Sequence, residues 1–215
     1  IHERLVGSEM CIRDRLVFVS HRHEDHFNPA VFALADRKAD IQFLLGNDFH
    51  LTPHNLTKWQ LSPEIAAKCR RCGKHGTFTP LPGVTVETFP STDEGVAWMV
   101  TVNGQSIFHA GDLNWWHWAE EDLAWNRNME ANFKRYTEPL RGRRVDLAML
   151  PLDSRLKMDG YLGPNYFLNL MEVRRFLPMH QWEDFAFTDE FLSAYPQFAP
   201  ITVKIHRDGE FLGEL

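Results

Sequence analysis

The stretch from Leu16 to His26 constrains this chain more than any other part of its sequence. Its first five residues, Leu16 to Ser20, form an apolar, β-compatible run that is typical of a buried strand. Four potential metal ligands follow within six consecutive positions: His21, His23, Asp25 and His26. We therefore expect the chain to turn where this strand ends and to present a polar cluster at the turn.

The spacing within the cluster indicates how it can bind metal. His21 and His23 are two positions apart, so on an extended backbone their side chains point the same way and can hold one ion. Asp25 and His26, just past the turn, can hold a second ion. The alternative is a polar turn that is rich in histidine by chance. The strand context and the density of ligands favour a metal centre, even in a chain with 11 histidines among 215 residues.

Composition limits the class of protein. A hydrophobic content of 44% and a charged content of 24% are those of a soluble globular protein, and 215 residues suffice for a real core. The net charge of -6 provides no basic field for nucleic acid, although a local basic groove would be compatible with it. Three cysteines argue against a disulfide framework and for a reducing compartment. No apolar run is long enough to span a membrane, so we expect a cytoplasmic protein without membrane contact.

The first fifteen residues are treated separately. The stretch from Leu5 to Arg15 resembles translated sequencing-adapter read-through, and residues 1–15 show no convincing strand period. The alternative is a poorly ordered N-terminal extension. We therefore expect that residues 1–15 do not belong to the folded domain and that residues 16–215 form a single domain.

The remaining chain mixes strands and helices. Alternating or apolar runs predict strands, and the Asn103-Gly104 pair predicts a hairpin turn between two of them. The predicted strands are 41–45, 84–89, 95–102, 105–109, 145–151 and 201–205, and the main predicted helices are 163–175 and 190–198. Hairpins come first, and strands later alternate with helices. This order predicts an α/β protein, an αββα sandwich of two mixed β-sheets flanked by helices.

Two later segments complete a recognisable order. Phe108 to Asp112 reads as a strand that ends in Gly-Asp, and Pro178-Met179-His180 places a histidine at another strand end. Together with H-x-H-x-D-H at the first strand, this order resembles the metallo-β-lactamase superfamily of metallohydrolases. The resemblance implies that Asp112 is the carboxylate that bridges two metal ions and that His180 completes the second metal site. It also implies further strands ahead of Leu16, which are missing from this sequence.

One departure from the family pattern concerns the first metal site. Members carry another histidine about a hairpin ahead of Gly-Asp, and the matching stretch here, Ser91 to Gly95, contains none. Thr92 lies at that spacing, 20 positions before Asp112, and the neighbouring Asp93 can offer an oxygen instead. The resemblance then implies two ligand sets: His21, His23, Asp112 and optionally Asp93; and Asp25, His26, Asp112 and His180. One or two divalent ions would bind, with Zn²⁺ expected first and Mn²⁺ or Fe also compatible with these ligands.

The function implied is metal-dependent hydrolysis of an ester, lactone, phosphodiester or similar bond. Asp25 would be the catalytic residue that orients the nucleophilic water and shuttles a proton. The residues directly after Asp112 are expected to line the substrate pocket: Asn114, Trp115 and Trp116. Their alternative role is packing of the aromatic side chains on the core.

Other functions stay open from the sequence alone. One is a nuclease of the same fold, and another is a non-hydrolytic sensor or di-iron redox protein. An inactive fragment is a third. We expect a small-molecule substrate rather than nucleic acid, while the oligomeric state is open. Cys69 and Cys72, with His75 nearby, resemble half of a zinc knuckle, but no second pair exists, so we expect a surface thiol pair.

Overall fold

The computed structural model of the chain describes residues 16–207 and 209–212. The expectations about residues 1–15 lie outside this part. The described residues fall into two compact units, the first ending at Gly73 and the second beginning at Lys74. That 16–215 forms a single domain therefore stays a prediction. We describe each unit by itself.

The described residues contain nine strands and five α-helices, numbered in chain order. The strands are β1 (Leu16–Val19), β2 (Gln42–Leu45), β3 (Cys69–Arg71), β4 (Gly76–Leu81), β5 (Val84–Pro90), β6 (Val96–Val102), β7 (Gln105–His109), β8 (Arg144–Pro151) and β9 (Glu172–Met179). The helices are α1 (Pro53–Lys58), α2 (Pro63–Ala66), α3 (Leu123–Thr137), α4 (Leu162–Leu170) and α5 (Phe187–Ala194). Short 3₁₀ segments span Pro29–Asp36, Glu138–Leu140, Ser154–Tyr161 and Pro196–Phe198.

The first unit is built on a three-stranded sheet in the order β1-β2-β3, and both strand pairs are parallel. Its central strand is the most buried, and Phe43, Leu44 and Leu45 are fully removed from water. Beyond β2 the chain passes against the end of β1 at Gly46. A Cβ atom on Gly46 would lie 2.0 Å from the carbonyl oxygen of Ser20, so only glycine fits there. This contact fixes the chain where β1 ends.

The second unit is built on a six-stranded sheet in the order β4 to β9. Strands β4 to β7 are antiparallel neighbours, and β7, β8 and β9 pair in parallel. The predicted hairpin between β6 and β7 is confirmed. Its turn residues Asn103 and Gly104 both have positive φ, 51° and 84°, as a type I′ turn requires.

The three parallel strands place their following residues at one edge of the sheet. Met149 pairs with His109 on one side, and Pro151 pairs with Met179 on the other. The pairing continues one step past β8, because the amide of Leu152 donates to the carbonyl of Met179 at 2.9 Å. Carboxyl ends of parallel strands are where open α/β sheets bind ligands, so the residues after β7, β8 and β9 are candidates for a site.

Several predicted boundaries were wrong. The helix predicted for 163–175 ends at Leu170. Residues from Glu172 onward form strand β9 instead, because they pair along the whole length of β8. The helix predicted for 190–198 ends at Ala194. Tyr195 precedes Pro196, and a residue before proline disfavours helical geometry. Strands β3 and β4 were missed. The strand predicted for 201–205 makes only a single bridge, between Phe176 and Thr202.

The mixed α/β class with two sheets is confirmed, with one correction. The six-stranded sheet is mixed, but the three-stranded sheet is wholly parallel among the described residues. Within the same part of the chain, every helix is too short or too polar to cross a bilayer.

Candidate metal centre

The histidines and aspartate after β1 form a first cluster in the first unit, consisting of His21, His23, Asp25 and His26. The chain turns sharply there, because the carbonyl of His23 accepts hydrogen bonds from the amides of His26 and Phe27, at 2.9 and 2.8 Å. The turn brings imidazole rings together. The ring of His21 lies 4.6 Å from that of His23 and 4.1 Å from that of His26, between centroids. The four residues that the sequence singled out are therefore neighbours in the structure.

Groups outside the first cluster hold its backbone and one of its rings. The Ser20 hydroxyl lies 3.0 Å from Nδ1 of His21, which is fully buried. The Asp48 carboxylate, in the loop after β2, accepts the amide of Arg22 at 2.8 Å and its Nε at 3.2 Å. The Asp25 side chain is more accessible than that of His26, with 36% exposed against 15%. Its carboxylate lies 3.4 Å from Nε2 of His26. Sequence reasoning missed Asp48.

Asp93, Asp112 and His180 form a second cluster in the second unit. Asp112 lies in the turn after β7, and its side chain is only 6% exposed. Hydrogen bonds to its backbone carbonyl hold this turn: Trp116 Nε1 donates at 3.0 Å, and the Thr92 hydroxyl lies at 3.3 Å. Thr92 also accepts the amide of Asn114 at 3.0 Å. The Asp112 carboxylate is thus presented on a fixed loop.

The structure separates the roles of Thr92 and Asp93. Thr92, at the spacing of the family's histidine, uses its hydroxyl to tether the loop around Asp112. Asp93 brings a carboxylate oxygen within 4.8 Å of one from Asp112. Asp93 is therefore the residue in this loop that is placed to act as a ligand beside Asp112.

His180 follows β9 directly and has a positive φ of 62°. Its Nε2 lies 3.7 Å from an oxygen of Asp112. Two ligand atoms that each lie about 2.1 Å from one tetrahedral Zn²⁺ are themselves about 3.4 Å apart, so this separation suits two ligands of the same ion. The imidazole nitrogen and the carboxylate oxygen are also donors that zinc, manganese and iron accept. The residues of the second cluster therefore fit a divalent metal.

Asp153 was missed by the sequence analysis. It lies two residues past β8, its side chain is fully buried, and it is 2.8 Å from Nδ1 of His180. Arg155 donates to it from the backbone amide, Nε and Nη2, at distances between 2.6 and 3.1 Å. A signal for Asp153 was available, since it lies two residues after the predicted strand 145–151, near a strand end as His180 does.

These contacts shift the pKa values of Asp153 and His180. Burial acts to raise the pKa of Asp153, but hydrogen bonds from His180 and Arg155 outweigh it and hold the pKa at about 2. Burial acts to lower the pKa of His180, but the Asp153 hydrogen bond and the charges of Asp112 and Asp153 outweigh it and raise the pKa above its ordinary value. Asp153 is therefore ionised at neutral pH.

The predicted pocket residues lie beside Asp112, but they face different surroundings. Asn114 is 1% exposed and packs closely on Gly163. Trp115 packs against Phe133 and Tyr166, as expected for the core-packing alternative. Trp116 contacts the His180 ring edge-on, at 5.6 Å between centroids. That these residues line a substrate pocket stays a prediction.

Two of the cavities in the described part of the second unit can be compared with the predicted site. One of about 280 Å³ borders His180 and the exposed Trp182, but none of the three predicted pocket residues lines it. A larger one of about 520 Å³ lies between β4, β5 and the end of α3, and it contains no predicted site residue. Of these two cavities, the smaller is the one that a residue of the second cluster, His180, borders.

The expectation of a surface thiol pair was wrong. Cys69 is half-buried in β3, and Cys72 is only 3% exposed. Burial raises the pKa of both thiols to about 11. Among residues 16–207 and 209–212, neither cysteine belongs to a group of three or more potential metal ligands.

Comparison with known proteins identifies the fold. No sequence-family profile matches the chain, and no curated protein matches its sequence significantly. Solved structures do resemble it. The metallo-β-lactamase fold protein YhfI from Bacillus subtilis has a TM-score of 0.52 at 11% identity, with 83% of this chain and 70% of YhfI covered.

Two further structures match more extensively. A protein of Parabacteroides distasonis, assigned provisionally as a metal-dependent hydrolase, has a TM-score of 0.59 at 15% identity and covers 89% of this chain and 76% of its own. CmlA, a diiron β-hydroxylase from Streptomyces venezuelae, has a TM-score of 0.58 at 10% identity and also covers 89% of this chain, which spans 43% of CmlA. The chain has the metallo-β-lactamase fold. At these identities the likeness defines the fold and not the reaction.

Proposed function

We propose that this chain is a metal-dependent hydrolase whose metal ligands are the members of the first and second clusters. The observation that carries the proposal is the packing of the His21 ring against both the His23 and the His26 rings at the end of β1. Three imidazoles with an adjacent carboxylate within six positions provide the nitrogen and oxygen donors that zinc-type ions need. Six of the proposed ligands are those that the family pattern implies, and Asp93 is added where the pattern's further histidine is absent. The full set is His21, His23, Asp25, His26, Asp93, Asp112 and His180.

The chemistry proposed is hydrolysis of an ester, lactone, phosphodiester or similar bond of a small molecule. A divalent cation, when bound, supplies a Lewis acid and lowers the pKa of a coordinated water from about 15.7 to roughly 7. Asp25 is suited to hold and move a proton, since its carboxylate combines partial exposure with contact to His26. Trp116 shields one side of His180 from water. Asn114, Trp115 and Trp116 are proposed to border the substrate.

A second candidate function is oxidative chemistry at a di-iron centre. It is favoured by Asp93, which replaces a histidine of the family pattern and lies within 4.8 Å of Asp112. More carboxylate and less imidazole makes a ligand set more suitable for iron or manganese. CmlA has the same fold and a diiron centre. Metal identity separates the two candidates.

We propose no role in binding nucleic acid, because the chain carries a net charge of -6. A nuclease is therefore the weaker alternative among hydrolases. A cytoplasmic location remains our proposal from the low cysteine content.

The proposed function is tested by elemental analysis of chelator-free purified protein. We expect about one to two zinc-like ions per chain in the wild type, and less metal in Asp112→Ala and His23→Ala. His54→Ala is the matched control, because His54 is an exposed histidine of α1 in the first unit. A wild-type protein without bound transition metal would contradict the proposal. Stoichiometric iron with zinc absent would favour the di-iron alternative.

Activity is tested on a panel of chromogenic esters, lactones and phosphodiesters. We expect turnover by the wild type and by His54→Ala, and loss of turnover in His23→Ala. Turnover that survives unchanged in His23→Ala would show that the first cluster is not the active site.

A further inference from the structure

We propose that Asp153 is a positioning residue of the candidate metal centre, which fixes the ring orientation and the protonated nitrogen of His180 so that Nε2 is available to an ion. This inference rests on the proposed function and adds to it a residue outside the implied ligand set.

The positions of Asp153 and His180 follow from the sheet. Strands β8 and β9 are parallel neighbours, and the Leu152 amide extends their pairing beyond β8. Asp153 and His180 then leave the same edge of the sheet side by side. Both side chains are removed from water, with 0% of Asp153 and 9% of His180 exposed. A buried carboxylate must be compensated by hydrogen bonds and charge, so its partners define what it does.

The hydrogen bond determines which nitrogen of His180 carries the proton. An ionised carboxylate only accepts hydrogen bonds, so Nδ1, at 2.8 Å, must be the donor. Trp182 Nε1 lies 3.2 Å from Nδ1 and 3.4 Å from the Asp153 carboxylate. Because Nδ1 carries a hydrogen, the indole N–H can donate only to the carboxylate. In the neutral ring Nε2 then keeps its lone pair and faces Asp112 at 3.7 Å.

Arg155 holds Asp153 in this position. It donates to both carboxylate oxygens, and its guanidinium lies over the rings of Trp182 and Trp118, at 4.5 and 5.5 Å from their centroids. Gly160 packs closely against the Asp153 backbone, since an added Cβ would lie 2.5 Å from the Asp153 carbonyl oxygen. The carboxylate therefore cannot turn away from His180 without breaking the ion pair. Carboxylates that accept the second N–H of a metal-ligating histidine act in this way in metal sites.

The competing explanation is a purely structural ion pair between Asp153 and Arg155. That role predicts that removing the charge of Asp153 lowers stability and leaves metal affinity unchanged. The positioning role predicts a change in which ring nitrogen of His180 carries the proton, and a change in metal affinity. The two explanations therefore differ in measurable quantities other than activity.

The test compares Asp153→Asn with Asp146→Asn in the full chain. Asp146 is a matched control, because it lies on β8, the strand that Asp153 follows, and like Asp153 it accepts a backbone amide, here from Ser106 at 2.9 Å. Zinc affinity is measured by competition with a chromogenic chelator. We expect affinity to fall about 10-fold to 100-fold in Asp153→Asn and to stay unchanged in Asp146→Asn. Equal affinity of wild type and Asp153→Asn would overturn the inference while leaving the proposed function intact.

A second measurement is made on metal-free protein. Nitrogen-15 NMR of the imidazoles, with His180 assigned through His180→Gln, should show the His180 proton on Nδ1 in the wild type. The spectrum is recorded at a pH high enough for the ring to be neutral, because the pKa of His180 is raised. A neutral wild-type ring with its single proton on Nε2 would overturn the inference. If Asp153→Asn does not fold, the double variant Asp153→Ala/Arg155→Ala replaces it, because removal of both partners leaves no single buried charge. Absence of zinc binding by the wild type itself would instead refute the proposed function.

Discussion

At the scale of the residue, burial and the partners of a buried group together determine its pKa. Asp153 and Cys72 are buried and Cys69 is half-buried, but the consequences for their pKa values are opposite. Asp153 has Arg155 and His180 as partners and stays ionised. For the two thiols burial is the largest effect, and it raises the pKa of Cys69 and of Cys72 to about 11. Partners, and not depth alone, decide the charge of a buried group.

This difference predicts slow thiol chemistry. In a Cys11→Ser background at pH 8, about one in a thousand of the Cys69 and Cys72 side chains should be thiolate, because their pKa lies near 11. We expect Ellman's reagent to react slowly in native protein, with the rate rising as the pH approaches 11. The same thiols should react at once in denaturant. Fast native reaction of both thiols at pH 8 would contradict the burial of this region.

At the scale of the element, close backbone contacts hold the loops that follow the strands. Gly163 in the first turn of α4 packs on Asn114, which follows the Asp112 turn. Asn114 is in turn held by the Thr92 hydroxyl. The start of α4 and the loops after β5 and β7 are therefore joined through Asn114. A change at this contact should be transmitted to the position of Asp112.

Gly163→Ala tests this contact. The added Cβ would lie 1.9 Å from the Asn114 side-chain oxygen, so either the helix or the loop must shift. We expect a loss of about 1–3 kcal/mol in the free energy of unfolding, measured by urea titration, as for overpacked cores. Gly73→Ala is the control, because a Cβ there meets nothing within 4 Å. Equal stability of the two variants would mean that the Asn114 contact is not tight.

At the scale of the whole molecule, the proposed ligands come from both compact units. The first cluster belongs to the unit that ends at Gly73, and the second belongs to the unit that begins at Lys74. Under the proposed function, metal binding and folding are linked, because the ion binds only the native arrangement of ligands.

This linkage predicts stabilisation by metal. Free zinc at 100 times its dissociation constant should add about 2.7 kcal/mol to the free energy of unfolding, which corresponds to roughly 5–10 °C in the melting temperature of a chain of this size. Differential scanning calorimetry with and without chelator measures the shift. Asp112→Ala should show almost none of it. A similar rise in Asp112→Ala would show that zinc stabilises the protein at some other place.

The sequence by itself determined the parts of this protein that are local in the chain. Strand β1, the Asn103-Gly104 turn and strand β8 are each specified by a few consecutive residues. The fold class could be predicted from the order of such segments, and the metallo-β-lactamase fold from the resemblance of the H-x-H-x-D-H motif and the two later motifs to that family. Asp112 and His180 were predicted to be metal ligands only because the family pattern gave the order in which its ligands follow one another.

The tertiary structure alone decided how distant residues meet. Asp153 and His180 are 27 positions apart, and they come together because β8 and β9 pair in parallel register. The roles of Thr92 and Asp93 were separated by hydrogen bonds to a loop 20 or more positions away. The burial of Cys72 likewise could not be predicted from its neighbours in the chain. Side-chain environment depends on strand register and packing, which arise from many weak contacts that no short stretch of sequence encodes.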